Sequence, residues 1–201
     1  MRFFLIFILF SIAHSFNLCY NDLIIKVRKY VMIILGIDPG YAIVGYGVID
    51  YRNNHFSVID YGAILTDAKT PFNLRLEKIY DDLSSIIEKH KPEAMSLEKL
   101  FYNNNAKTVI DVSQARGVIM LAAQKNGLKV YEYTPLQVKQ SVVGYGRAEK
   151  KQVQEMTRRI LALEKVPKPD DTADALAMAI CHAHSSGSLS SVSNMRIRKG
   201  I

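Results

Sequence analysis

The order of the apolar segments constrains the fold of this chain more than any other feature of its sequence. From Met32 onward, three short apolar runs typical of β-strands follow one another, and the first ends at the turn signal Asp38-Pro39-Gly40. Strands joined this closely indicate an antiparallel meander. Helical patterns and two further short apolar runs then alternate along the chain. This order predicts an α/β fold in which helices flank a mixed, five-stranded sheet.

The boundaries of the predicted elements follow from turn residues and from the spacing of apolar side chains. The first predicted helix has apolar residues at three- and four-residue intervals and ends near Lys91-Pro92. Gly127 is expected to end the second helix. We predict strands at residues 32–37, 43–48, 56–65, 94–98 and 128–133, and helices at residues 71–91 and 106–125, from residue 135, at 148–163 and at about 171–184.

The composition is that of a basic, globular chain. A length of 201 residues fits one medium domain with a short appendage. A hydrophobic content of 49% and a charged content of 22% exclude a disordered chain. Two cysteines are too few for a disulfide framework or a thiolate zinc site. The formal net charge of +7 is consistent with a polyanionic partner.

Both ends of the chain differ from its middle. Residues 1–31 join basic side chains to the apolar run F-F-L-I-F-I-L-F, which resembles a secretory signal and is too short to span a membrane comfortably. The alternative is an upstream extension, with Met32 as the functional start. Residues 185–201 are rich in serine and then basic, which predicts a flexible tail. The predicted domain is therefore residues 32–184.

Four acidic residues lie at the ends of predicted strands or at the start of a predicted helix, which are common positions for catalytic residues in an α/β fold. Asp38 and Glu98 each end a predicted buried strand, so their side chains can converge on one rim of the sheet. Asp171 and Asp174 are three residues apart and share one face of the last helix. Four carboxylates at one rim repel each other unless cations neutralise them. Oxygen ligands select Mg²⁺ or Mn²⁺, and two such ions about 4 Å apart serve phosphodiester hydrolysis.

Each of these acids also has an ordinary structural explanation. An aspartate before an apolar helix commonly caps it, and Asp38 before Pro39 is typical of a turn. Glu98 is equally compatible with a solvated strand end. Spacing alone does not select the four residues, because the chain has further aspartates at positions 50, 60, 67, 81, 82 and 111.

Five motifs, which follow one another along the chain, resemble those of a known family, and this resemblance distinguishes the four acids from the other aspartates. The motifs are L-G-I-D-P-G-Y-A-I-V-G-Y-G-V (35–48), S-L-E-K-L-F (96–101), S-Q-A-R-G-V (113–118), V-K-Q-S-V-V-G-Y-G-R-A-E-K (138–150) and D-D-T-A-D-A-L-A (170–177). Together they resemble the RuvC family of Holliday-junction resolvases. The resemblance implies an RNase H-like fold and a homodimeric endonuclease that depends on Mg²⁺, or on Mn²⁺ in its place. It also implies that two strands of a four-way DNA junction are nicked symmetrically.

The resemblance carries site residues onto positions of this chain. The catalytic and metal-binding acids fall on Asp38, Glu98, Asp171 and Asp174, and some family members have His where Asp171 stands. The four acids are expected to hold two ions. The family's base-stacking aromatic residue falls on Phe101, which is expected to stack on an unpaired base. Its basic residues near the cleaved strand fall on Lys139 and Lys150. For Arg116, contact with a phosphate and contact with an acidic side chain both stay open.

The family also implies partners and a location. We expect four-way junction DNA as substrate, a homodimer, a branch-migration complex of the RuvA–RuvB type, no membrane, and a cytoplasmic protein. Residues 1–31 are then a start-site artefact or a dispensable extension, because an exported resolvase would not meet chromosomal DNA.

Other function classes remain to be compared with this one. An actin-like ATPase using D-P-G-Y (38–41) as a phosphate loop would need a second nucleotide-binding half, for which we expect no room in the roughly 170 residues after the leader. An RNase H-like nuclease acting on another branched or RNA-containing substrate stays open. So does a junction-binding module without catalysis, which would be expected to lack one of the four acids.

Overall fold

One five-stranded sheet organises the part of the chain that the structure describes. The structure is a computed structural model and describes residues 31–99 and 106–198. The strands are Val31–Asp38 (β1), Ile43–Arg52 (β2), His55–Leu65 (β3), Ala94–Glu98 (β4) and Lys129–Tyr133 (β5). Their order in the sheet is β3-β2-β1-β4-β5. β4 runs parallel to β1 and β5, and β2 runs antiparallel to β3. The predicted mixed α/β sheet is thereby confirmed.

Helices cover both faces of this sheet. They are Phe72–His90 (α1), Ala106–Lys125 (α2), Pro135–Val143 (α3), Lys150–Ile160 (α4) and Asp170–Arg198 (α5). Consecutive residues of β1 point to opposite faces, so Leu35 packs with Ile79 of α1 and Ile119 of α2 in one core cluster. Ile34 belongs to the other core cluster, which includes Ile180 of α5. Residues Met32–Ile201 form one compact unit. Among the described residues, no helix has both the length and the apolar character that a membrane span requires.

Several element boundaries differ by one to three residues from the sequence prediction, and two differ by more. β2 continues to Arg52 instead of ending at Val48, because a bulge after Val48 shifts the register and lets pairing with β3 resume. The two strands then meet at Asn53 and Asn54, whose φ angles of 49° and 63° suit a tight hairpin turn.

The last helix is the second difference. The predicted flexible tail begins at residue 185, but α5 continues as a helix to Arg198. Serine is only a moderately poor helix former. The hydroxyl of Ser186 donates to the carbonyl of Ala183 at 2.9 Å, and that of Ser185 donates to the carbonyl of Cys181 at 2.8 Å, so both hydroxyls find acceptors within the helix. The predicted leader of residues 1–31 lies, apart from Val31, outside the described residues.

The N-terminal half of α5 lies directly on the backbone of β1 and β2. A Cβ added at Gly36 of β1 would stand 2.0 Å from the carbonyl oxygen of Ala175, and one at Gly45 of β2 would stand 2.0 Å from that of Asp171. Such distances are far below any real contact, so only glycine permits this approach. The absence of two side chains therefore sets the distance between α5 and the sheet.

Two hydrogen bonds attach α5 to the sheet on either side of this contact. The buried hydroxyl of Ser96 in β4 donates to the carbonyl of Met178 at 2.7 Å. The hydroxyl of Thr172 donates to the carbonyl of Gly62 in β3 at 3.1 Å. The first turns of α5 are thereby held at the end of the sheet where β1 and β4 finish.

We expect Gly45→Ala to lower the thermal unfolding temperature strongly and to remove the function of the site, because the new Cβ would collide with the backbone of α5. Gly47→Ala is a graded comparison, since its closest neighbour is the rotatable side chain of Leu176 at 2.5 Å. Thermal unfolding of both variants should place Gly45→Ala clearly below Gly47→Ala. Equal losses would show that the backbone approach of α5 is not the limiting contact.

Candidate active site

Asp38 and Glu98 are brought together by the pairing of two parallel strands. Ile37 of β1 is in register with Leu97 of β4, and the two acids are the residues that follow and end their strands. Since parallel strands finish at the same edge of a sheet, the two side chains meet at this edge. Sequence reasoning predicted this convergence from the apolar runs that precede each acid.

α5 supplies the second pair of acids. Asp171 lies in the first turn of this helix, where a negative charge is favourable, and Asp174 follows on the same face. Because α5 rests on Gly36 and Gly45, the acids of its first turns come close to Asp38. Glu98, Asp174 and Asp171 each raise the pKa of Asp38 through their negative charge.

The electrostatics of the site are dominated by burial and by like charge. Burial, followed by the charges of Glu98, Asp174 and Asp171, raises the pKa of Asp38 from 3.8 to about 8. Burial, and then the charge of Asp174, raises the pKa of Glu98 as well. The part of these shifts that comes from like charge would be relieved by a positive charge bound between the carboxylates. A bound cation would therefore stabilise the cluster of acids.

Lys150 is the cation nearest to this cluster among the described residues. Its ammonium group lies 2.8 Å from Oδ2 of Asp174, and this pairing raises the pKa of Lys150. The same positive charge lowers the pKa of Asp38 and of Glu98, against the larger upward effects. Lys150 opens α4, whose first turn is closed by a hydrogen bond of 2.8 Å from the backbone N–H of Glu149 to the side chain of Gln152.

The acids and lysines line one cavity of about 200 Å³. Lys139 enters it from α3, a helix capped by the hydroxyl of Thr134, which accepts from the backbone N–H of Gln137 at 3.2 Å. An apolar wall completes the lining. The residues that line the cavity are Asp38, Glu98, Pro135, Val138, Lys139, Lys150, Val153, Asp174, Ala177 and Met178.

The structure thus unites five of the seven predicted site residues in one cavity: Asp38, Glu98, Asp174, Lys139 and Lys150. Asp171 acts on the site through its charge but is not among the residues that line this cavity. Phe101 lies outside the described residues, and its stacking role stays a prediction.

Two contacts at the site were not predicted from the sequence. Gln154 is buried, and its amide nitrogen lies 3.5 Å from Oδ1 of Asp174. Its position four residues after Lys150 on α4 was the available signal. The guanidinium group of Arg116 pairs with Glu132, and its Nε donates to the backbone carbonyl of Glu98 at 3.4 Å. Of the two roles left open for Arg116, the structure shows contact with an acidic side chain.

The donor set fits a hard divalent cation. Across residues 31–99 and 106–198, no group of three or more His, Cys, Asp or Glu side chains has the spacing of a formed metal site. The acids nevertheless offer only carboxylate oxygens, which are the ligands that Mg²⁺ and Mn²⁺ prefer. Besides burial, the charges of Glu98, Asp174 and Asp171 raise the pKa of Asp38, and the charge of Lys150 offsets only part of this effect.

In this chain, carboxylates meet at the ends of the parallel strands β1 and β4, and a helix packed on the sheet adds further acids. This arrangement is that of the RNase H-like nucleases. Comparison with known proteins narrows this class. The family model for crossover junction endodeoxyribonuclease RuvC matches residues 34–182. The chain belongs to the RuvC family.

Individual relatives agree with this assignment. The crossover junction endodeoxyribonuclease RuvC of Clostridioides difficile is 61% identical over 154 residues, which are 77% of this chain and 91% of the relative. That of Caldanaerobacter subterraneus subsp. tengcongensis is 59% identical over 158 residues, or 79% of this chain and 96% of the relative.

Solved structures show the same relationship. Thermus thermophilus RuvC in complex with a Holliday junction substrate is similar with a TM-score of 0.74 and 33% identity, over 78% of this chain and 96% of that one. The yeast mitochondrial Holliday junction resolvase shares the fold, with a TM-score of 0.59 and 15% identity over 81% of this chain and 83% of that one.

We expect Asp38→Asn to stabilise the metal-free protein. Because the pKa of Asp38 is about 8 when folded and near 3.8 when unfolded, the folded state binds the extra proton between these values. The free energy of unfolding of the metal-free protein therefore falls as the pH rises through this range. An amide does not titrate, so the variant should gain on the order of 1–3 kcal/mol near pH 8 and show a flatter pH profile.

Chemical unfolding in the presence of a chelator at several pH values measures this effect. Asp81→Asn is the matched control, since Asp81 is an exposed residue of α1. A metal-free Asp38→Asn protein that is less stable than the wild type near pH 8 would contradict the assignment.

Proposed function

We propose that this chain resolves four-way DNA junctions by metal-dependent hydrolysis of one phosphodiester bond in each of two strands. The observation that carries this proposal is the single cavity in which Asp38, Glu98 and Asp174 face Lys139 and Lys150. Carboxylates beside lysines can bind cations and DNA phosphates at the same place. Membership of the RuvC family supports the junction as substrate.

The four acids are the residues that would hold the metal. We propose two Mg²⁺ ions, with Mn²⁺ as a substitute, on Asp38, Glu98, Asp171 and Asp174. When bound, such ions activate a water molecule and stabilise the leaving oxygen of the phosphodiester. The chain's own residues supply the negative charge that attracts the ions and a cavity that orients the reacting strand. None of the described residues that line the cavity is Ser, Thr, Cys or Tyr, which favours water over a side chain as nucleophile.

The basic residues supply contacts to the cleaved strand. Lys139 and Lys150 line the same cavity as the acids, where an ammonium group can neutralise a phosphate. Phe101 follows the Glu98 motif in sequence, and we propose that it stacks on an unpaired base at the crossover, an interaction worth roughly 1–3 kcal/mol. The positive charges of Lys139 and Lys150 would then give affinity for any DNA, and stacking by Phe101 would add a preference for junctions.

The test compares a synthetic four-way junction with a matched linear duplex and an RNA–DNA hybrid, each with and without Mg²⁺. We expect paired cuts in the junction only, and only with the metal. Glu98→Gln and Asp174→Asn should abolish cleavage and keep junction binding, because removing negative charge does not weaken attraction to phosphate. Asp81→Asn, on the exposed face of α1, should cleave normally.

The outcomes separate the alternatives. Faster cleavage of the hybrid would favour an RNase H-like nuclease for RNA-containing substrates. Tight junction binding without cleavage under any metal would favour a binding module. Cleavage that persists in a chelator would overturn the role of the metal.

A homodimer would place two such cavities on one junction. Three apolar side chains of α2 are well exposed: Ile110 by 64%, Leu121 by 49% and Met120 by 38%. The spacing of Ile110, Gly117 and Leu121 follows the helical repeat, so these residues form one stripe. Gly117 has open space around its Cβ position, which allows another helix to approach closely. We propose that α2 packs against its counterpart in a second copy about a two-fold axis.

We expect Leu121→Glu to convert a dimer into a folded monomer, because a charge within this stripe opposes its burial. Leu74→Glu is the matched control: Leu74 is 46% exposed and lies on α1, away from the stripe. Sedimentation equilibrium measures the change. On a junction, the monomer should leave single, unpaired nicks. A Leu121→Glu protein that stays dimeric would remove α2 from the interface.

Location and further partners belong to the same proposal. We propose that the protein acts in the cytoplasm together with a branch-migration complex of the RuvA–RuvB type. The family match at residues 34–182 lies within the predicted nuclease domain of residues 32–184, which supports a function independent of the leader.

A further inference from the structure

Arg75 is a buried arginine whose charge is not balanced by a neighbouring carboxylate among the described residues. The residue is only 7% exposed, and among the described residues it forms no ion pair with a carboxylate. Its Nε donates to the hydroxyl oxygen of Thr66 at 2.9 Å, and its Nη2 donates to the backbone carbonyl of Tyr41 at 3.1 Å. Burying a guanidinium group against neutral oxygens is costly, so these contacts need an explanation beyond packing.

The contacts of Arg75 converge on the turn that follows Asp38. The guanidinium group lies 4.8 Å from the centre of the Tyr41 ring, in a cation–π arrangement. Thr66 reinforces the same turn: its hydroxyl donates to the carbonyl of Tyr41 at 2.6 Å, and its backbone N–H donates to the carbonyl of Ala42 at 3.0 Å. We call Arg75, Thr66 and Tyr41 the Arg75 clasp.

The clasp acts on the turn that begins where β1 ends. Asp38 is the last residue of β1 and lies one position beyond Ile37, the last residue of β1 in register with β4. On its other side the chain turns sharply, since a Cβ at Gly40 would stand 2.1 Å from the carbonyl oxygen of Ile43. Asp38 is therefore held by β1 before it and by the clasped turn after it.

We propose that the Arg75 clasp positions the carboxyl group of Asp38 for cation binding and thereby for phosphodiester cleavage. Arg75 and Thr66 are positioning residues, because they act through the turn and not on the substrate. This inference rests on the proposed function, in that Asp38 is taken as a metal ligand of a junction nuclease. A displacement of about 1 Å at such a ligand is enough to slow a reaction about 100-fold.

The test uses Thr66→Val and Arg75→Met in the full chain. Valine keeps the shape of threonine and removes the hydroxyl that joins Arg75 to Tyr41. We expect both variants to bind the junction within about twofold of the wild type and to cleave it roughly 10- to 100-fold more slowly at saturation. Mn²⁺ titration followed by electron paramagnetic resonance should show weaker binding of the ion. Thr66→Ser, which restores the hydroxyl, should restore both the cleavage rate and the Mn²⁺ affinity.

The control separates positioning from stability. Ile87→Val trims a buried side chain on the same helix without touching the turn. It should lower the unfolding temperature and leave cleavage at saturation and Mn²⁺ affinity unchanged. If Thr66→Val behaves like Ile87→Val, the clasp is only structural and the inference is wrong. If Arg75→Met fails to fold, Thr66→Val and Thr66→Ser decide the question. The wild type tests the proposed function separately in the same assay, and Mn²⁺ binding reports on Asp38 even without cleavage.

Discussion

The direct contact between α5 and the bare backbone of β1 and β2 is the constraint on which the rest of this structure depends. Gly36 and Gly45 leave room for the helix to approach the sheet within backbone distance. The hydrogen bonds of Ser96 and Thr172 hold the helix at that distance. A side chain at either glycine would move the first turns of α5, and with them two of the four acids, away from Asp38. The packing of one helix thus determines whether a site exists.

The contact has an electrostatic consequence that works against folding. It crowds like charges around a buried carboxyl group, and both the burial and these charges raise the pKa of Asp38. Lys150 relieves part of the repulsion through its ion pair with Asp174. A bound cation would relieve this repulsion further, so the acid cluster costs the fold stability, as is common where function and stability compete. The same logic explains why lysines and acids share one cavity.

Precision at the site comes from several elements that meet there. β1 and β4 supply Asp38 and Glu98 in register, α4 supplies Lys150 and Gln154 beside Asp174, and the Arg75 clasp connects the turn after Asp38 to α1. Each support comes from a different segment of the chain. Sites built on strands and helices hold their groups more precisely than sites on loops, to within about 0.5 Å of the productive geometry.

The sequence by itself determined the order of the elements and the mixed sheet, because turn signals and apolar periodicity are local. Motifs that resemble one family also indicated Asp38, Glu98, Asp171 and Asp174 as candidate site residues. The sequence did not show the extent of α5 beyond residue 184, since serines that bond back to their own helix look like those of a loop. Only the tertiary structure decided that Arg116 pairs with Glu132, that Gln154 reaches Asp174, and that Arg75 holds the turn after Asp38. These contacts join residues far apart in the chain or depend on burial, and the energy of a buried charge is defined only once its surroundings have folded around it.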